Sequence, residues 1–582
     1  FNGSPKQASQ LAQLKILKQI LEELDPAQKW QLRPANSRKD MYAKDILKAI
    51  QFLKREDILP AKLILGADEI LKDLQVNPKL YVKGERKGQI HDDQLRAENA
   101  QRKNLELAHI YELYDQECRR QNLYDYDDMI LEVVDRLHKD DQLAYEILEK
   151  LQFILVDEYQ DTNGAQNKIL EILGQLDPEQ QPNIFAVGDD DQAIYSFQGA
   201  NVENILFFQQ KFPQTKTIVL TENYRSTQPI LDLAMDSIGH NSQRLAAMSS
   251  AINKNLHAVG GQGLVSRGQS LGLDSQHFAS SGQNFSSDAQ NSAHSDQDLA
   301  TKPQIFNFAH SDDELAWIVQ QIQSLQAAGE NLADIAIMYR THADVKLLTH
   351  VLDKLGIANK LASPSNLLDE QVVLVIRQLL QVVAYTDLSR DNLLMQLLLR
   401  DFIQSAFSLS KTAVFSFLTK YHDQQKFGNP AYPIKTLMDL ALELEPENGV
   451  HIFVEKLIEW QANFFNMPIT EALIIMLDQT GLLRDVYGKA EKPDQIEAVN
   501  AFVKFVRDLN LSNVALTLTE LLADIQLYVE EELTVPFQQP NLMQDAVNLL
   551  TVHAAKGLEY KYVSVSYTHL RAHETKANLV CR

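Results

Sequence analysis

The most restrictive feature of the chain is a pair of acid-rich turns, each of which follows a short apolar run. Residues 153–163 read FILVDEYQDTN, which places Asp157 and Glu158 at the end of the first run, and residues 187–200 read VGDDDQAIYSFQGA. Short apolar runs are typical of buried parallel strands. Open α/β sheets bind ligands at the carboxyl edge of such strands, where adjacent carboxylates suit a hydrated Mg²⁺ on a nucleotide phosphate. The repeated pattern favours such a site over a solvated turn after a core strand.

The length and the charge of the chain limit its class. Its 582 residues exceed what one hydrophobic core supports. Single cores stop growing near ~250–300 residues, so the length suggests about three to five units. The 55 basic and 78 acidic side chains give a net charge of −23. This charge argues against a general basic coat for nucleic acid, but it is compatible with a local basic groove.

Cysteine content and hydropathy indicate the compartment. Cys118 and Cys581 cannot form a disulfide framework, which favours a reducing cytoplasm. The sequence contains no run of ~18 uncharged apolar residues and no recognisable signal peptide. We therefore expect a soluble cytoplasmic protein without a membrane partner.

Both ends of the chain are unusual. The first residue is Phe1, and the chain contains no GxxxxGK[ST] loop, although a nucleotide site of this kind normally needs one. We therefore expect a missing amino-terminal piece that contains the Walker A loop. Residues 566–582 read SYTHLRAHETKANLVCR and show neither apolar periodicity nor a recognisable turn motif. We interpret them as a non-native tail, because they resemble translated sequencing-adapter read-through.

Apolar periodicity divides the first part of the chain into a helical segment and an alternating one. Residues 8–123 have helical periodicity, with candidate helices at 41–55 and 92–121. Beyond residue 123 helices and strands alternate, which predicts a doubly wound sheet. The predicted elements are helix 141–151, strand 152–157, helix 164–175, strand 183–187 and helix 201–211.

The second part of the chain repeats this organisation. A strand at 217–221 leads to NYRSTQPILDLA, where Ser226 or Thr227 can cap the next helix. Residues 258–300 are rich in Ser, Gln, Gly and Asn, which predicts a disordered insertion. Alternation resumes at residue 304, helical periodicity covers 366 to about 533, and a strand follows at 547–552. The resumed elements are strand 304–308, helix 311–328, strand 334–339 and helix 343–355.

Five segments, taken in order, resemble successive motifs of the UvrD/Rep/PcrA family of superfamily 1 DNA helicases. They read DEYQDTN, GDDDQAIYSFQGA, LTENYRST, IAIMYRTHADVKLLTHVLDKLGI and LLTVHAAKGLEY, and the similar region spans roughly residues 92–563. The resemblance implies an α/β fold with two RecA-like P-loop NTPase motor domains, each built on a parallel sheet and carrying an inserted helical subdomain. It further implies ATP-driven 3′–5′ translocation on single-stranded DNA.

The resemblance and the periodicity together predict a domain plan. The plan assigns 1–123 to a helical subdomain inserted in the first motor domain, 124–216 to the rest of that domain, 217–365 to the second motor domain, 366–545 to its inserted helical subdomain, 546–565 to its continuation, and 566–582 to the tail.

Roles in ATP chemistry follow from the resemblance and from phosphoryl-transfer physics. Asp157 is expected to hold Mg²⁺ through water. Glu158 is expected to orient or deprotonate the attacking water, and it is a second candidate for the metal site. Gln192 resembles the family's γ-phosphate sensor. Tyr224 is expected to stack on adenine, while Arg225 presents a permanently charged planar fork to the γ-phosphate across a domain cleft. The family also implies that Glu559 bonds the ribose.

Contacts to DNA are expected from a second set of residues. Tyr195 and Phe197 alternate in YSF and can stack on unpaired bases, with core packing as the alternative for both. His553 and Lys556 lie where the family's motif faces DNA. Arg340 is a candidate for a phosphate contact, and a capping or salt-bridge role is an equal alternative. Gln198 departs from the arginine that many family members carry, which puts one charged contact in doubt.

Two other patterns receive structural interpretations. DYDDMI, with Asp125, Asp127 and Asp128, is read as a capped helix entry in preference to a metal site, because acids favour helix amino ends. The run LLMQLLL at 393–399 is read as core. We find no CxxC pairs or histidine clusters that suggest zinc or an iron–sulfur cluster.

The sequence thus predicts an ATP-dependent DNA helicase that uses ATP and Mg²⁺. Its expected partners are single-stranded DNA, DNA junctions, and repair or replication proteins. This polypeptide by itself is expected not to hydrolyse ATP, because Glu158 and Arg225 have no phosphate-binding lysine partner. The alternatives are the motor part of a RecB/AddA-like helicase–nuclease and a non-catalytic DNA-binding descendant of such a motor.

Overall fold

The computed structural model describes residues 5–34, 38–81, 87–175, 183–194, 208–241, 254–259, 302–340, 342–361, 365–385, 389–427, 436–488, 493–537 and 545–566. The chain divides into two compact units, Phe1–Trp317 with Tyr567–Arg582, and Ile318–Ser566. This division does not coincide with the predicted domain boundary at 216/217, and the predicted domain ranges stay predictions.

The first unit begins with helices and continues with short parallel strands. Its described elements are β1 (Lys6–Gln7), α1 (Gln10–Glu23), α2 (Ala43–Arg55), α3 (Pro60–Val76), α4 (Asp92–Arg120), β2 (Leu123–Tyr124), α5 (Tyr126–Lys139), α6 (Asp141–Lys150), β3 (Ile154–Val156), α7 (Gly164–Gln175), β4 (Ile184–Ala186), β5 (Glu222–Asn223), α8 (Gln228–Gly239) and β6 (His257–Ala258), followed by α9 (Ser311–Ala327), which continues beyond the unit boundary.

Local signals account for the start of the first helical part. Ser9 occupies the N-cap of α1, and its hydroxyl accepts a hydrogen bond from the amide of Ala12 at 3.1 Å. Leu14, Leu17 and Leu21 lie three and four residues apart and are fully buried, which gives α1 one continuous apolar face. The predicted helices at 41–55 and 92–121 are confirmed as α2 and α4 within two residues.

A buried lysine joins three helices of this part. Lys54, at the end of α2, has no exposed side-chain surface, and its ammonium lies 2.8 Å from Asp125, 2.5 Å from Asp128 and 3.2 Å from Asp115 on α4. Asp125 and Asp128 also form a reciprocal capping box at the start of α5. The predicted capped helix entry is therefore confirmed, and the same acids neutralise Lys54.

The next part of the first unit is a small α/β layer. Strands β3 and β4 pair in parallel, with Ile154 opposite Ile184 and Val156 opposite Ala186. One face of this pair packs on α5, α6 and α7 through a cluster that includes Ile154 and Leu173. Side chains alternate along a strand, so Leu155 and Phe185 point to the other face, and both are exposed. Within the described residues the predicted doubly wound sheet is thus a two-stranded pair with one covered face.

Two predicted strands in the first unit are wrong. Residues 217–221 form no strand, and only the following two residues, β5, pair in parallel with β6. Leu220 is 76% exposed. An apolar run becomes a strand only where a neighbouring strand pairs with it, and in the described part of the chain β6 reaches no further along this segment than the carbonyl of Thr221, which accepts from the amide of His257 at 2.8 Å.

The segment predicted as strand 304–308 forms no strand with any neighbour in the described part of the chain. Its alternating apolar side chains serve aromatic packing, because Phe306 and Phe308 lie with ring centroids 4.4 and 5.9 Å from the ring of Trp317 on α9. Phe306 and Phe308 alternate along the chain because both pack against Trp317 on α9, and this contact explains the pattern that predicted a strand.

The second unit combines a parallel sheet with a long helical segment. After the end of α9 its elements are β7 (Ile335–Tyr339), α10 (His342–Lys354), β8 (Asn359–Leu361), β9 (Ser365–Asn366), α11 (Gln371–Ala384), α12 (Ser389–Leu398), α13 (Asp401–Ala406), α14 (Lys411–Phe427), α15 (Leu437–Leu442), α16 (Gly449–Asn466), α17 (Ile469–Gln479), α18 (Leu482–Gly488), α19 (Pro493–Ser512), α20 (Leu518–Glu530), β10 (Pro536–Phe537), β11 (Val547–Thr551), α21 (Val552–Ala555) and β12 (Tyr562–Val565).

The sheet of the second unit has the order β12-β7-β11-β8, and every pair in it is parallel. Strand β11 lies between β7 and β8, although α11 to α20 separate it from them in sequence. The side chain of Asn548 on β11 is buried and donates to the carbonyls of Ala333 and Ile335 at 2.8 and 3.1 Å. These bonds fix the register of the sheet after the long helical excursion.

The helical segment has its own core. Trp460 on α16 is fully buried, and its indole N–H donates to Gln479 at 2.6 Å. Leu394, Leu397 and Leu398 of the run at 393–399 are also fully buried, so the predicted core role of this stripe is confirmed. Asp391 at its start accepts hydrogen bonds from the hydroxyl of Tyr421 and from a backbone amide of α15.

Some predictions fall outside the described residues. Residues 260–300 of the predicted insertion, positions 201–207 of the predicted helix 201–211, and all of the predicted tail except Ser566 lie outside them. The amide of Ser566 donates to the carbonyl of Met338 on β7 at 2.8 Å, so this residue continues the sheet edge. None of the helices in the described ranges combines the length and the apolar character that a membrane span requires.

Candidate nucleotide and DNA site

The first pair of candidate residues lies where β3 ends. Asp157 and Glu158 follow Val156 directly, and both side chains are exposed. Glu158 has a backbone φ of 49°, in the left-handed region, and its amide donates to the Asp157 carboxylate at 2.9 Å. A non-glycine residue at positive φ is uncommon and is typical of functional turns. The chain thus turns sharply and leaves two carboxylates accessible at the strand end.

Gln160 connects this turn with the second acid-rich turn. Its side chain is fully buried, its amide nitrogen donates to the Glu158 carboxylate at 2.5 Å, and its amide oxygen accepts from the backbone N–H of Asp189 at 2.9 Å. No role for Gln160 was predicted from the sequence. The sequence does contain a signal for this contact, because Gln160 is an amide side chain two residues after Glu158. Side chains two residues apart can face each other in a tight turn.

Gly188 makes room for that connection. A Cβ built on Gly188 would lie 2.7 Å from the side-chain oxygen of Gln160, which is closer than real contacts allow. A glycine at this position therefore lets the second turn approach the first.

The second turn contains Gln192. Residues Asp190–Gln192 form one turn of 3₁₀ helix after the N-cap Asp189, whose carboxylate accepts from the backbone of Asp191 at 3.2 Å and from the side chain of Gln192 at 2.9 Å. Gln192 is exposed. Its amide is thus oriented by Asp189 toward solvent at the same strand edge as Glu158.

A lysine that the sequence analysis did not single out faces this turn. The ammonium of Lys254 lies 2.8 Å from Asp189 and 3.4 Å from Asp191, and it also bonds Asp190. Burial alone would raise the pKa of Asp189, but the hydrogen bond and the charge of Lys254 outweigh it and hold that pKa below its ordinary value. The turn is therefore a cluster of three carboxylates around one cation.

Tyr224 and Arg225 follow β5 in a turn held by Asn223. The side-chain oxygen of Asn223 accepts from the amides of Arg225 at 3.0 Å and of Ser226 at 2.8 Å. Tyr224 is exposed, and its hydroxyl donates to Glu222 at 2.6 Å, which raises the pKa of the phenol. The ring face remains accessible for stacking.

The predicted side-chain cap after this turn is absent. Thr227 occupies the N-cap position of α8, but its side chain makes no capping hydrogen bond and its hydroxyl oxygen is buried without a partner. Thr227 is thus the N-cap by position only: Pro229 has no N–H to donate, and the amide of Ile230 donates to the backbone carbonyl of Thr227 at 3.1 Å.

The candidates of the second unit gather at the carboxyl ends of neighbouring strands. Thr551, the last residue of β11, pairs with Tyr339, the last residue of β7, so Arg340 and α21 with His553 follow at the same sheet edge. Lys556 terminates α21, and Gly557 beyond it has a φ of 79°. Arg340, His553 and Glu559 are exposed and Lys556 is half-buried. Their roles stay predictions.

The stacking candidates Tyr195 and Phe197 lie outside the described residues. Among the described residues no group of three or more His, Cys, Asp and Glu side chains is arranged to hold a metal ion. Asp157 and Glu158 nevertheless fit Mg²⁺ on a nucleotide, because that ion usually takes one or two exposed carboxylates and completes its shell with water and phosphate oxygens.

Two family models match the chain. The UvrD/REP helicase N-terminal domain matches residues 4–213, and the UvrD-like helicase C-terminal domain matches residues 218–569. Domains of this type have the two-domain α/β fold of P-loop NTPases. Together the two matches span nearly the whole described chain.

Curated relatives give the same result. The chain is 25% identical over 481 residues to the ATP-dependent DNA helicase PcrA of Staphylococcus epidermidis, covering 80% of this chain and 57% of the relative. It is 25% identical over 526 residues to the Leuconostoc citreum protein of that name, covering 86% and 58%, and 26% identical over 465 residues to that of Bacillus subtilis, covering 78% and 55%. The chain spans little more than half the length of these relatives. With both family models matched in order, the chain belongs to the UvrD/REP family of helicases.

Proposed function

We propose that the intact protein is an ATP-dependent 3′–5′ DNA helicase and single-stranded DNA translocase that couples ATP hydrolysis to duplex unwinding in DNA repair or replication. Family membership and the relatives named as ATP-dependent DNA helicases support the general activity. The observation that carries the proposal is the hydrogen-bonded path from Glu158 through Gln160 to the turn of Gln192. It gives the carboxylate at the reacting phosphate a direct connection to the sensor turn.

Asp157 and Glu158 divide the chemistry of hydrolysis between them. Asp157 would hold Mg²⁺ through water, and the bound ion would supply positive charge for the nucleotide phosphates. Glu158 orients and deprotonates the attacking water, for which its exposed carboxylate at the strand end is suited. The hydrogen bond from Gln160 orients the Glu158 carboxylate for this role.

Gln192 reports the state of the nucleotide. Its amide is an uncharged donor and acceptor that can contact either the γ-phosphate or the water that replaces it. Asp189 orients this amide and is itself bound to Gln160 through its backbone N–H. A change at the phosphate therefore reaches both acid-rich turns.

Tyr224, Arg225 and Glu559 complete the nucleotide contacts in the proposal. Tyr224 stacks on adenine with an exposed ring, and Arg225 approaches the γ-phosphate with a guanidinium that stays charged. Glu559 bonds the ribose. Each role is carried over from the family motif that the residue matches.

DNA binding is assigned to a separate set of side chains. Tyr195 and Phe197 stack on unpaired bases, and His553, Lys556 and Arg340 contact the phosphate backbone. Support for the last three is their common position at the carboxyl edge of β7 and β11. Single-stranded DNA and DNA junctions are the proposed substrates, and repair or replication proteins in the cytoplasm are the proposed partners.

The proposed architecture is two RecA-like motor domains, each with an inserted helical subdomain. Support for the second insertion is the run α11 to α20 between strands β8 and β11, which are neighbours in one sheet. Support for the first is the helical part α1 to α4, which precedes the β3–β4 pair.

The replacement Glu158→Gln in the intact protein tests the proposal. We expect ATP hydrolysis with single-stranded DNA to fall by about 10²–10⁴-fold, because an amide cannot accept the proton from water, while ATP binding is retained. Phosphate release and nucleotide binding are measured on the same preparation. The control Glu149→Gln removes an equivalent charge from an exposed position on α6. Wild-type turnover in Glu158→Gln would contradict the assignment.

A further inference from the structure

The contact of Lys254 with the acid-rich turn has no role in the function described so far. The Lys254 side chain is 18% exposed and lies within 4 Å of three consecutive carboxylates, Asp189, Asp190 and Asp191. Exposed ion pairs contribute little, since solvent screens them and long side chains lose entropy. A half-buried cation shared by three carboxylates on one turn is more restrictive, because displacing it leaves adjacent like charges unbalanced.

The backbone that carries Lys254 is fixed to the turn of Tyr224 and Arg225. The amides of His257 and Val259 donate to the carbonyls of Thr221 and Asn223, each at 2.8 Å, and form the β5–β6 pair. Asn223 is the residue whose side chain holds the Arg225 turn. Lys254 therefore projects from a segment that is hydrogen-bonded to the arginine motif.

A second anchor comes from α8. The side chain of Gln228 accepts from the amide of Ala258 at 2.9 Å and donates to the carbonyl of Leu256 at 3.2 Å. The backbone two to five residues after Lys254 is thus held by β5 on one side and by Gln228 on the other, which limits the freedom of the segment that carries the lysine.

On the opposite side, the carboxylate that Lys254 contacts also orients the sensor. Asp189 accepts from Gln192 through its side chain, and its backbone N–H donates to Gln160, which in turn bonds Glu158. Lys254 is therefore linked to Gln192 through Asp189 alone. It is linked to Glu158 through Asp189 and Gln160. It does not contact either of them.

We propose that Lys254 is a positioning residue that holds the Asp189–Gln192 turn against the segment of the Tyr224–Arg225 turn, so that the sensor amide and the arginine keep a fixed spacing. The proposal of a role in hydrolysis rests on the function proposed above. The positional role itself belongs to the chain as it stands, and it can be measured without turnover.

The first experiment compares hydrogen exchange of backbone amides in this chain and in Lys254→Met. We expect the amides of Asp189, Asp191 and Gln192, which are bonded to Gln160 or to Asp189, to exchange about tenfold faster in the variant, in line with the loss of a charge-assisted contact. The amides of His257 and Val259 should keep their protection, since the β5–β6 pair is intact.

Two further variants control for charge and for folding. Lys254→Arg keeps the cation and should restore the protection of the turn, and Lys216→Met removes one positive charge from an exposed position of the same unit and should leave the turn unchanged. If Lys254→Met loses protection over the whole unit, Lys254→Gln replaces it in the same local comparison. Unchanged exchange of the turn in a folded Lys254→Met or Lys254→Gln protein overturns the proposal.

The second experiment measures steady-state ATP hydrolysis in the intact protein, with its phosphate-binding loop and with single-stranded DNA. A positioning residue predicts that Lys254→Met lowers kcat about tenfold or more at a KM for ATP within about twofold, and that Lys254→Arg recovers kcat. Wild-type kcat in Lys254→Met overturns the catalytic consequence. A wild-type protein without any turnover contradicts the proposed function instead, and the exchange experiment then decides the position of Lys254 independently.

Discussion

Gln160 shows how one buried amide can set the geometry of two acid-rich turns. Its two polar ends are used by two different turns, one by Glu158 and the other by the N–H of Asp189. An apolar side chain of similar size would leave that N–H without its partner and remove one hydrogen bond from the Glu158 carboxylate. The cost of a buried unsatisfied donor is about 1–3 kcal/mol.

We therefore predict that Gln160→Met destabilises the first unit by about 1–3 kcal/mol and accelerates exchange of the Asp189 amide. Urea unfolding followed by hydrogen exchange of peptides from this unit measures both effects. The matched control is Gln175→Met at the exposed end of α7, which should change neither quantity. Equal stability of the two variants would show that the Gln160 bonds are replaced by water.

At the scale of elements, the Lys54 cluster determines how α2, α4 and α5 fit together. The cluster is rich in acid, because Asp115, Asp125 and Asp128 share one ammonium. Burial raises the pKa values of Asp115 and Asp128, and the charge of Lys54 opposes that rise. The helix junction therefore depends on the lysine more than on any one carboxylate.

Lys54→Met is expected to lower the free energy of unfolding by about 3–5 kcal/mol, because it leaves buried carboxylates without a cation. Urea denaturation monitored on the helical signal measures the loss, and Lys48→Met on the exposed face of α2 is the control. A loss as small as that of the control would mean that the acids are neutralised in another way.

The pH dependence of that loss has a definite sign. A carboxyl group whose pKa is higher in the folded state binds more protons when folded, so its unfavourable contribution disappears as the pH falls through the folded pKa. Without Lys54, Asp115 and Asp128 lose the charge that lowers their pKa values. The destabilisation by Lys54→Met should thus be smaller at about pH 5 than at about pH 8.

At the scale of the whole molecule, the net charge of −23 restricts how the proposed binding of DNA can occur. A chain of this charge repels a polyanion over most of its surface, so binding depends on a few local cations. Lys556 is the main candidate in the described part of the second unit, at the edge formed by β7 and β11.

We predict that Lys556→Ala weakens single-stranded DNA binding and reduces the slope of log K against log salt by about one phosphate contact, roughly 0.7 for a single strand. Fluorescence anisotropy over a salt series measures this slope. The exposed Lys420 on α14 provides the control Lys420→Ala, for which the wild-type slope is expected. An unchanged slope for Lys556→Ala would remove this residue from the DNA surface.

The helices of the fold were largely predictable because their signals are local. The helix of Gly164–Gln175, the capping box of Asp125 and the buried stripe at 393–399 all follow from residues within one or two turns of each other. The positions of Asp157, Glu158 and Gln192 at strand ends were predictable for the same reason, since a short apolar run followed by acids is itself a strand and a turn.

Other features depend on partners far along the chain. The strands predicted at 217–221 and 304–308 are absent because a strand needs a neighbour, and local alternation does not supply one. Lys54 binds Asp125, which is 71 positions away in the sequence, and Lys254 binds Asp189, which is 65 positions away. No periodicity or cap motif encodes such pairings, and only chain folding brings their charges together.

The sequence by itself therefore determined the family, the order of the motifs and the helices that start and stop on local signals. The tertiary structure decided which apolar runs become strands and which buried polar groups share a partner, through Gln160, Lys54 and Lys254. The physical reason is the distance along the chain over which each kind of interaction acts. Propensity, periodicity and caps act over a few residues, whereas hydrogen bonds and ion pairs in a low-dielectric interior are fixed by whichever distant groups the packed chain places beside them.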